Sequence, residues 1–139
     1  MPIFGIGIDQ TEISRITTLL NENSNSFINR IAHPKELDLA KSRKTKKSIV
    51  EFWSGRFAAK EAFAKALGTG IGKTIAFKDI AVLANKKGQP EFDFSSKKLQ
   101  TVLKKLKITA SHVSITHTGD YATAMVVLEV SSKTKGIHP

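Results

Sequence analysis

An α+β fold is what the sequence predicts: a single compact domain with one long buried helix packed on a mainly antiparallel sheet. Three observations carry that expectation. Helical patterns cluster in the first half of the chain, strand pairs with tight-turn signals fill much of the second, and one helical segment, Ser48 to Leu67, is apolar around most of its circumference. Grouped helices and hairpins argue against a parallel, doubly wound sheet. The 139 residues fit one domain, assigned to 1–131 with a flexible C-terminal tail at 132–139, and 40% hydrophobic residues suffice for its core.

The chain opens with Ile3-Phe4-Gly5-Ile6-Gly7-Ile8, where β-branched residues alternate with glycines as in a short strand. Asp9-Gln10-Thr11-Glu12 has capping-box spacing and predicts a helix to about Leu20, with Ile13, Ile16 and Leu20 on its inner face and Arg15 and Thr18 outside. The polar stretch from Asn21 to Ser26 interrupts it. A short helical piece follows over 27–31, and Pro34 suits the first position of another helix. Lys41 to Lys47, with five cations in seven residues, reads as a solvated loop.

Ser48-Ile49-Val50-Glu51 is a clearer capping box, and Gly68 stands where a left-handed cap ends the helix it opens. After Gly68-Thr69-Gly70-Ile71-Gly72, residues 78–84 alternate as a strand, Lys86-Lys87-Gly88 turns, and 90–94 returns. Ser95 or Ser96 caps a helix to about Leu106 that sets four aliphatic residues against a lysine-rich face. His112 to His117 and Tyr121 to Val130 form two strands joined by Thr118-Gly119-Asp120.

Composition narrows the function. Without cysteine there is no disulfide, thiolate zinc site or cysteine nucleophile, and a reducing cytosol suits the chain. The apolar run Ile3 to Ile8 is too short to span a membrane and lacks the flanks of a signal peptide, so a soluble cytoplasmic protein is expected. A formal net charge of +10 favours polyanions, acidic proteins or phosphate-rich small molecules.

Several residues could carry chemistry, each against a plainer reading. Asp9 is by default a helix N-cap, but a carboxylate beside glycines also suits a hard cation such as Mg²⁺. Glu61 and Lys65 have the spacing and order of an intrahelical ion pair, yet their helix is otherwise nearly all apolar, where idle charges are costly. Arg56 and Lys60 either snorkel from a packed face or line a polar site, with the Arg56 fork matched to phosphate. The 68–72 loop is a flexible helix exit or a set of backbone N–H groups turned to phosphate or ribose. His117 is structural or, at the strand's end, reaches into a cleft.

Taken together, Gly5-Ile6-Gly7-Ile8-Asp9 with Arg15-Ile16, the block from Arg56 to Ile71, and His112-Val113-Ser114-Ile115-Thr116-His117 resemble the three blocks of the short 4'-phosphopantetheinyl transferases, in the holo-acyl-carrier-protein synthase group. The resemblance implies a transferase that moves the phosphopantetheine of coenzyme A to a serine of an acidic apo-acyl carrier protein. It implies Mg²⁺ held by Asp9 and Glu61, with Lys65 on the phosphates and Glu61 the better candidate for deprotonating the serine. Arg56, His117 and the loop Gly68, Thr69, Gly70 and Ile71 would grip the nucleotide, and Arg15 would dock the carrier. A homotrimer with sites at subunit interfaces is also implied. The turn Asn85 to Pro90 departs from the family's adenine-side hairpin, with two lysines between asparagine and glycine and glutamine before proline. A basic nucleic-acid-binding module or a non-enzymatic scaffold for acidic partners would share the charge, but neither accounts for the three blocks.

Overall fold

The computed structural model describes residues 2–131, so the tail assigned to 132–139 lies outside the described residues. In chain order the elements are β1 (Ile3–Glu12), α1 (Ile13–Ile31), α2 (Pro34–Ala40), α3 (Lys46–Leu67), β2 (Ala81–Ala84), β3 (Pro90–Asp93), α4 (Lys97–Lys105), β4 (Ile108–Thr118) and β5 (Tyr121–Val130). β1, β5 and β4 form one antiparallel sheet in that spatial order, and β2 pairs with β3 as a separate hairpin. The α+β expectation therefore holds, with α3 as the long helix laid on the sheet.

Burial on two sides explains why α3 is apolar around its circumference. One side, with Ala59, Ala62, Phe63 and Ala66, meets Val126 and Leu128 of β5, and the other, with Trp53 and Phe57, meets Ile16, Phe27 and Ile31 of α1. Contact with β1 is backbone to backbone. A Cβ at Gly5 would lie 2.0 Å from the Ala66 carbonyl oxygen and one at Gly7 would lie 1.8 Å from that of Ala62, so only glycine permits this approach. The opposite face of the sheet is bare: Ile6, Ile8 and Met125 are 56%, 60% and 46% exposed. Among the described residues no helix is long and apolar enough to cross a membrane.

Four local expectations are corrected. β1 runs through Glu12, with Asp9 opposite Ala124, so Asp9 is not a helix N-cap and the capping-box spacing is incidental. β5 offers ladder partners as far as its first residue, Tyr121, and a continuous ladder satisfies more backbone groups than one side-chain cap. α1 continues through the polar stretch with a one-residue break at Asn23, whose side chain accepts from the Ser26 N–H at 3.0 Å and restarts the helix. α3 begins at Lys46 because Thr45 takes the cap, accepting from the Ser48 N–H at 3.1 Å. The segment 78–84 divides into a 3₁₀ turn (Phe77–Asp79) and β2. At its other end α3 stops as expected, at Gly68 with φ 86°.

Candidate active site

Strand alternation turns Gly5, Gly7, Asp9 and Thr11 toward α3. The close approach at the two glycines brings Asp9 against the last turns of that helix. There Asp9 Oδ1 lies 3.2 Å from Lys65 Nζ, which also donates to the Ile8 carbonyl at 3.0 Å. Thr11 Oγ donates to Asp9 Oδ2 at 2.7 Å and fixes the carboxylate's orientation. Lys65 therefore reaches across to β1 and makes no intrahelical pair with Glu61. The Glu61 side chain has no hydrogen-bond or ion-pair partner among the described residues. Burial pushes its pKa up, the Asp9 charge pushes it further, and Lys65 and Arg15 pull it back. Asp9, Glu61, Lys65 and Arg15 thus share one electrostatic neighbourhood.

The donor chemistry here fits Mg²⁺. Asp9 and Glu61 offer only carboxylate oxygens, and their mutual repulsion is relieved by a cation between them. Among the described residues no cluster of three or more acidic, histidine or cysteine side chains could hold a metal. Two carboxylates are the share a protein gives Mg²⁺ when substrate phosphates and water complete the octahedron.

A second group lies on another side of α3. Arg56 Nε donates to the Val82 carbonyl at 3.2 Å, and its guanidinium stacks 4.2 Å from the centroid of the Phe52 ring. Arg43 lies 5.2 Å from the same centroid. It belongs to the segment expected to be a solvated loop, and nothing in the local pattern marks it. His117 Nε2 donates to the Glu51 carbonyl at 2.9 Å, close to Gly55. Arg43, Arg56 and His117 line a cleft of about 180 Å³. A further cleft of about 350 Å³ shares Pro90 and Ile115 with it and is bordered by Asn85 and Gln89. Burial lowers the Arg56 pKa to about 10, with Glu36 opposing and Arg43 assisting, so the group stays cationic at neutral pH.

The 68–72 loop offers fewer donors than its sequence suggests. The N–H groups of Gly68 and Gly70 are spent on the Ala64 carbonyl and that of Gly72 on Ile75, while the Thr69 hydroxyl turns to the Gly70 carbonyl. Thr69 and Ile71 keep the N–H groups available to a ligand. Lys60 neither snorkels nor lines a cleft, being fully buried against Glu36. Arg15 is exposed on α1, 5.5 Å from the centroid of the Phe57 ring.

At about 100° per residue, Arg56 and Glu61 point roughly 140° apart around the helix axis. Among the described residues no hydrogen bond or ion pair joins the Asp9–Lys65 group to the Arg56–His117 group. The chain therefore carries a carboxylate cluster and an arginine cleft on different flanks of one helix.

A profile of the 4'-phosphopantetheinyl transferase superfamily matches residues 5–126. A holo-[acyl-carrier-protein] synthase from Staphylococcus haemolyticus is 45% identical over 127 residues, 91% of this chain and 97% of the relative. The crystal structure of a holo-[acyl-carrier-protein] synthase from Neisseria meningitidis superposes with a TM-score of 0.84 at 35% identity, over 91% of this chain and 98% of that one. One from Bacillus anthracis, in complex with CoA (3',5'-ADP), gives 0.77 at 40% identity, over 94% and 100%. The three sequence blocks, the sheet with its close-packed helix and these matches agree: the chain belongs to the 4'-phosphopantetheinyl transferase superfamily, in its holo-acyl-carrier-protein synthase group.

Proposed function

We propose that the protein transfers the 4'-phosphopantetheine of coenzyme A to a serine of an apo-acyl carrier protein, releasing 3',5'-ADP and supplying the holo carrier for fatty acid biosynthesis. The observation that carries this reading is the meeting of Asp9, Glu61 and Lys65 where β1 crosses α3, in a chain of this family. The serine oxygen bonds to the β-phosphorus of coenzyme A, the bond from that phosphorus to the bridging oxygen breaks, and the bridging oxygen leaves with 3',5'-ADP.

Each residue has a part. Glu61, a carboxylate with a raised pKa and no hydrogen-bond or ion-pair partner among the described residues, would take the serine proton. Lys65 stabilises negative charge on the transferring phosphate from its exposed position. Asp9 and Glu61 would hold Mg²⁺, which when bound neutralises charge on the pyrophosphate. Arg56 and His117 would hold the nucleotide end in their cleft, and Thr69 and Ile71, past the far end of α3, would offer backbone donors from the carboxylate side. Arg15 and the net positive surface would draw in an acidic carrier.

The same proposal includes a homotrimer. The bare apolar sheet face around Ile6, Ile8 and Met125 gives copies of the chain a surface to bury. With the carboxylate cluster and the arginine cleft on separate flanks, a site at a subunit interface would join one copy's cluster to the next copy's cleft. The setting is the cytoplasm. Incubation with coenzyme A, Mg²⁺ and an apo-acyl carrier protein should add one phosphopantetheine mass to the carrier, and an unchanged carrier mass would refute the activity.

A further inference from the structure

Glu36 and Lys60 form an ion pair with both side chains fully buried, Nζ 2.6 Å from Oε1, and the proposed transfer uses neither charge. Well-packed apolar residues of similar volume often serve a core equally well. The hydrogen bonds around the pair give it a further role. Lys60 Nζ donates to the carbonyls of Ile31 and Phe77 as well as to Glu36. Glu36 Oε1 also accepts from the His33 N–H at 2.9 Å, and Oε2 accepts from the Val82 N–H at 2.8 Å.

Val82 is also the residue whose carbonyl accepts Arg56 Nε. The N–H and C=O of one strand residue point to the same side, so the edge of β2 turned away from β3 is held by Glu36 through its N–H and holds Arg56 through its C=O. The connected path Lys60, Glu36, Val82, Arg56 begins and ends on α3, about one turn apart. Because a guanidinium is planar and rigid, fixing Nε directs the terminal nitrogens, and these belong to a side chain lining the cleft with Arg43 and His117. The Glu36 carboxylate also favours the charged form of Arg56.

We propose that Glu36 and Lys60 are positioning residues for nucleotide binding, holding the β2 backbone at Val82 so that its carbonyl aims Arg56 at the phosphate-bearing end of coenzyme A. This rests on the function proposed above and adds residues that touch no substrate.

The test compares Glu36→Gln and Lys60→Met, alone and combined with Arg56→Ala, in transfer assays run well below each variant's Tm. The expected result is a KM for coenzyme A about 10-fold higher with the KM for the carrier within about twofold of wild type, and little added effect once Arg56 is alanine. Equal rises in both KM values, or a full effect on the Arg56→Ala background, would show that the pair only supports the core. If Lys60→Met does not fold, the nearly isosteric Glu36→Gln carries the comparison. A wild-type protein that transfers nothing would overturn the function instead. Calorimetric binding of 3',5'-ADP to the same variants would then judge the pair alone, by the same about 10-fold weakening and the same loss of effect without Arg56.

Discussion

Two ion pairs about one and a half turns apart on α3 do opposite things. Lys60 with Glu36 and Lys65 with Asp9 each tie the helix to another element, but the first pair is fully buried while Lys65 is 54% exposed and Asp9 16%. Around Lys60 the buried charges are saturated, and among the described residues no buried side-chain nitrogen or oxygen lacks a partner. Beside Lys65 stands Glu61, a carboxylate with no hydrogen-bond or ion-pair partner among the described residues and a neighbour of like charge. Breaking a buried pair typically costs about 3–5 kcal/mol, whereas an exposed pair contributes about 0–1 kcal/mol. A saturated cluster has nothing left to offer a substrate. The cluster that contributes little to folding is the one with capacity to spare for chemistry.

That contrast can be broken by experiment. Asp9→Ala and Glu61→Ala should each lower transfer by roughly 10³-fold or more, over about 4 kcal/mol of barrier, with circular dichroism and Tm nearly unchanged. Near-normal rates at millimolar Mg²⁺ would remove both residues from the metal site. Lys60→Met should show the reverse emphasis, losing about 3–5 kcal/mol of unfolding free energy and roughly 10 °C or more in Tm by thermal denaturation. A Tm close to wild type would mean that the buried pair supports nothing.

Lys65→Met should lower kcat by roughly 10²-fold, about 3 kcal/mol, and barely move Tm. It should also shift the pH profile. Glu61 acts as a base only when ionised; burial and the Asp9 charge raise its pKa in the metal-free protein, and a cation held between the two carboxylates would offset that rise. Lys65 favours the ionised carboxylate, so removing it should move the acid limb of kcat/KM to higher pH, and an unmoved limb would mean that Lys65 does not tune Glu61. Arg15→Glu, assayed well above that limb, should raise the KM for the carrier more than that for coenzyme A, and added salt should reproduce the effect. Equal changes in both would count against docking. Lys44→Met, in the basic stretch outside both clusters, should leave kcat within about twofold.

What the sequence made legible follows from how local each signal is. β5 and the Gly68 cap are written in adjacent residues, and both stand as expected. Asp9-Gln10-Thr11-Glu12 misleads because its partners on β5 lie more than a hundred residues away, and a ladder with Ala124 leaves no trace in the motif. Thr45 and Ser48 are rival caps three residues apart, and only the folded entry angle selects the first. Asp9, Glu61 and Lys65 were recognisable as a motif, whereas Thr11 and Arg43 act through contacts that no spacing encodes. Lys60 stayed ambiguous because the partner that settles its role, Glu36, sits 24 positions earlier on a different helix.

Gly5 and Gly7 set a gauge. With less than 2.1 Å between a would-be methyl group and a helix carbonyl at both positions, the two residues without side chains govern how far two others must reach, since any carbon added there would wedge β1 away from α3 and part Asp9 from Glu61. Alanine at position 7 could leave every acidic and basic group in place and still yield a folded protein whose proposed metal-binding pair stands too far apart to share a cation. Reactivity in this molecule depends as much on that empty space as on the charges beside it.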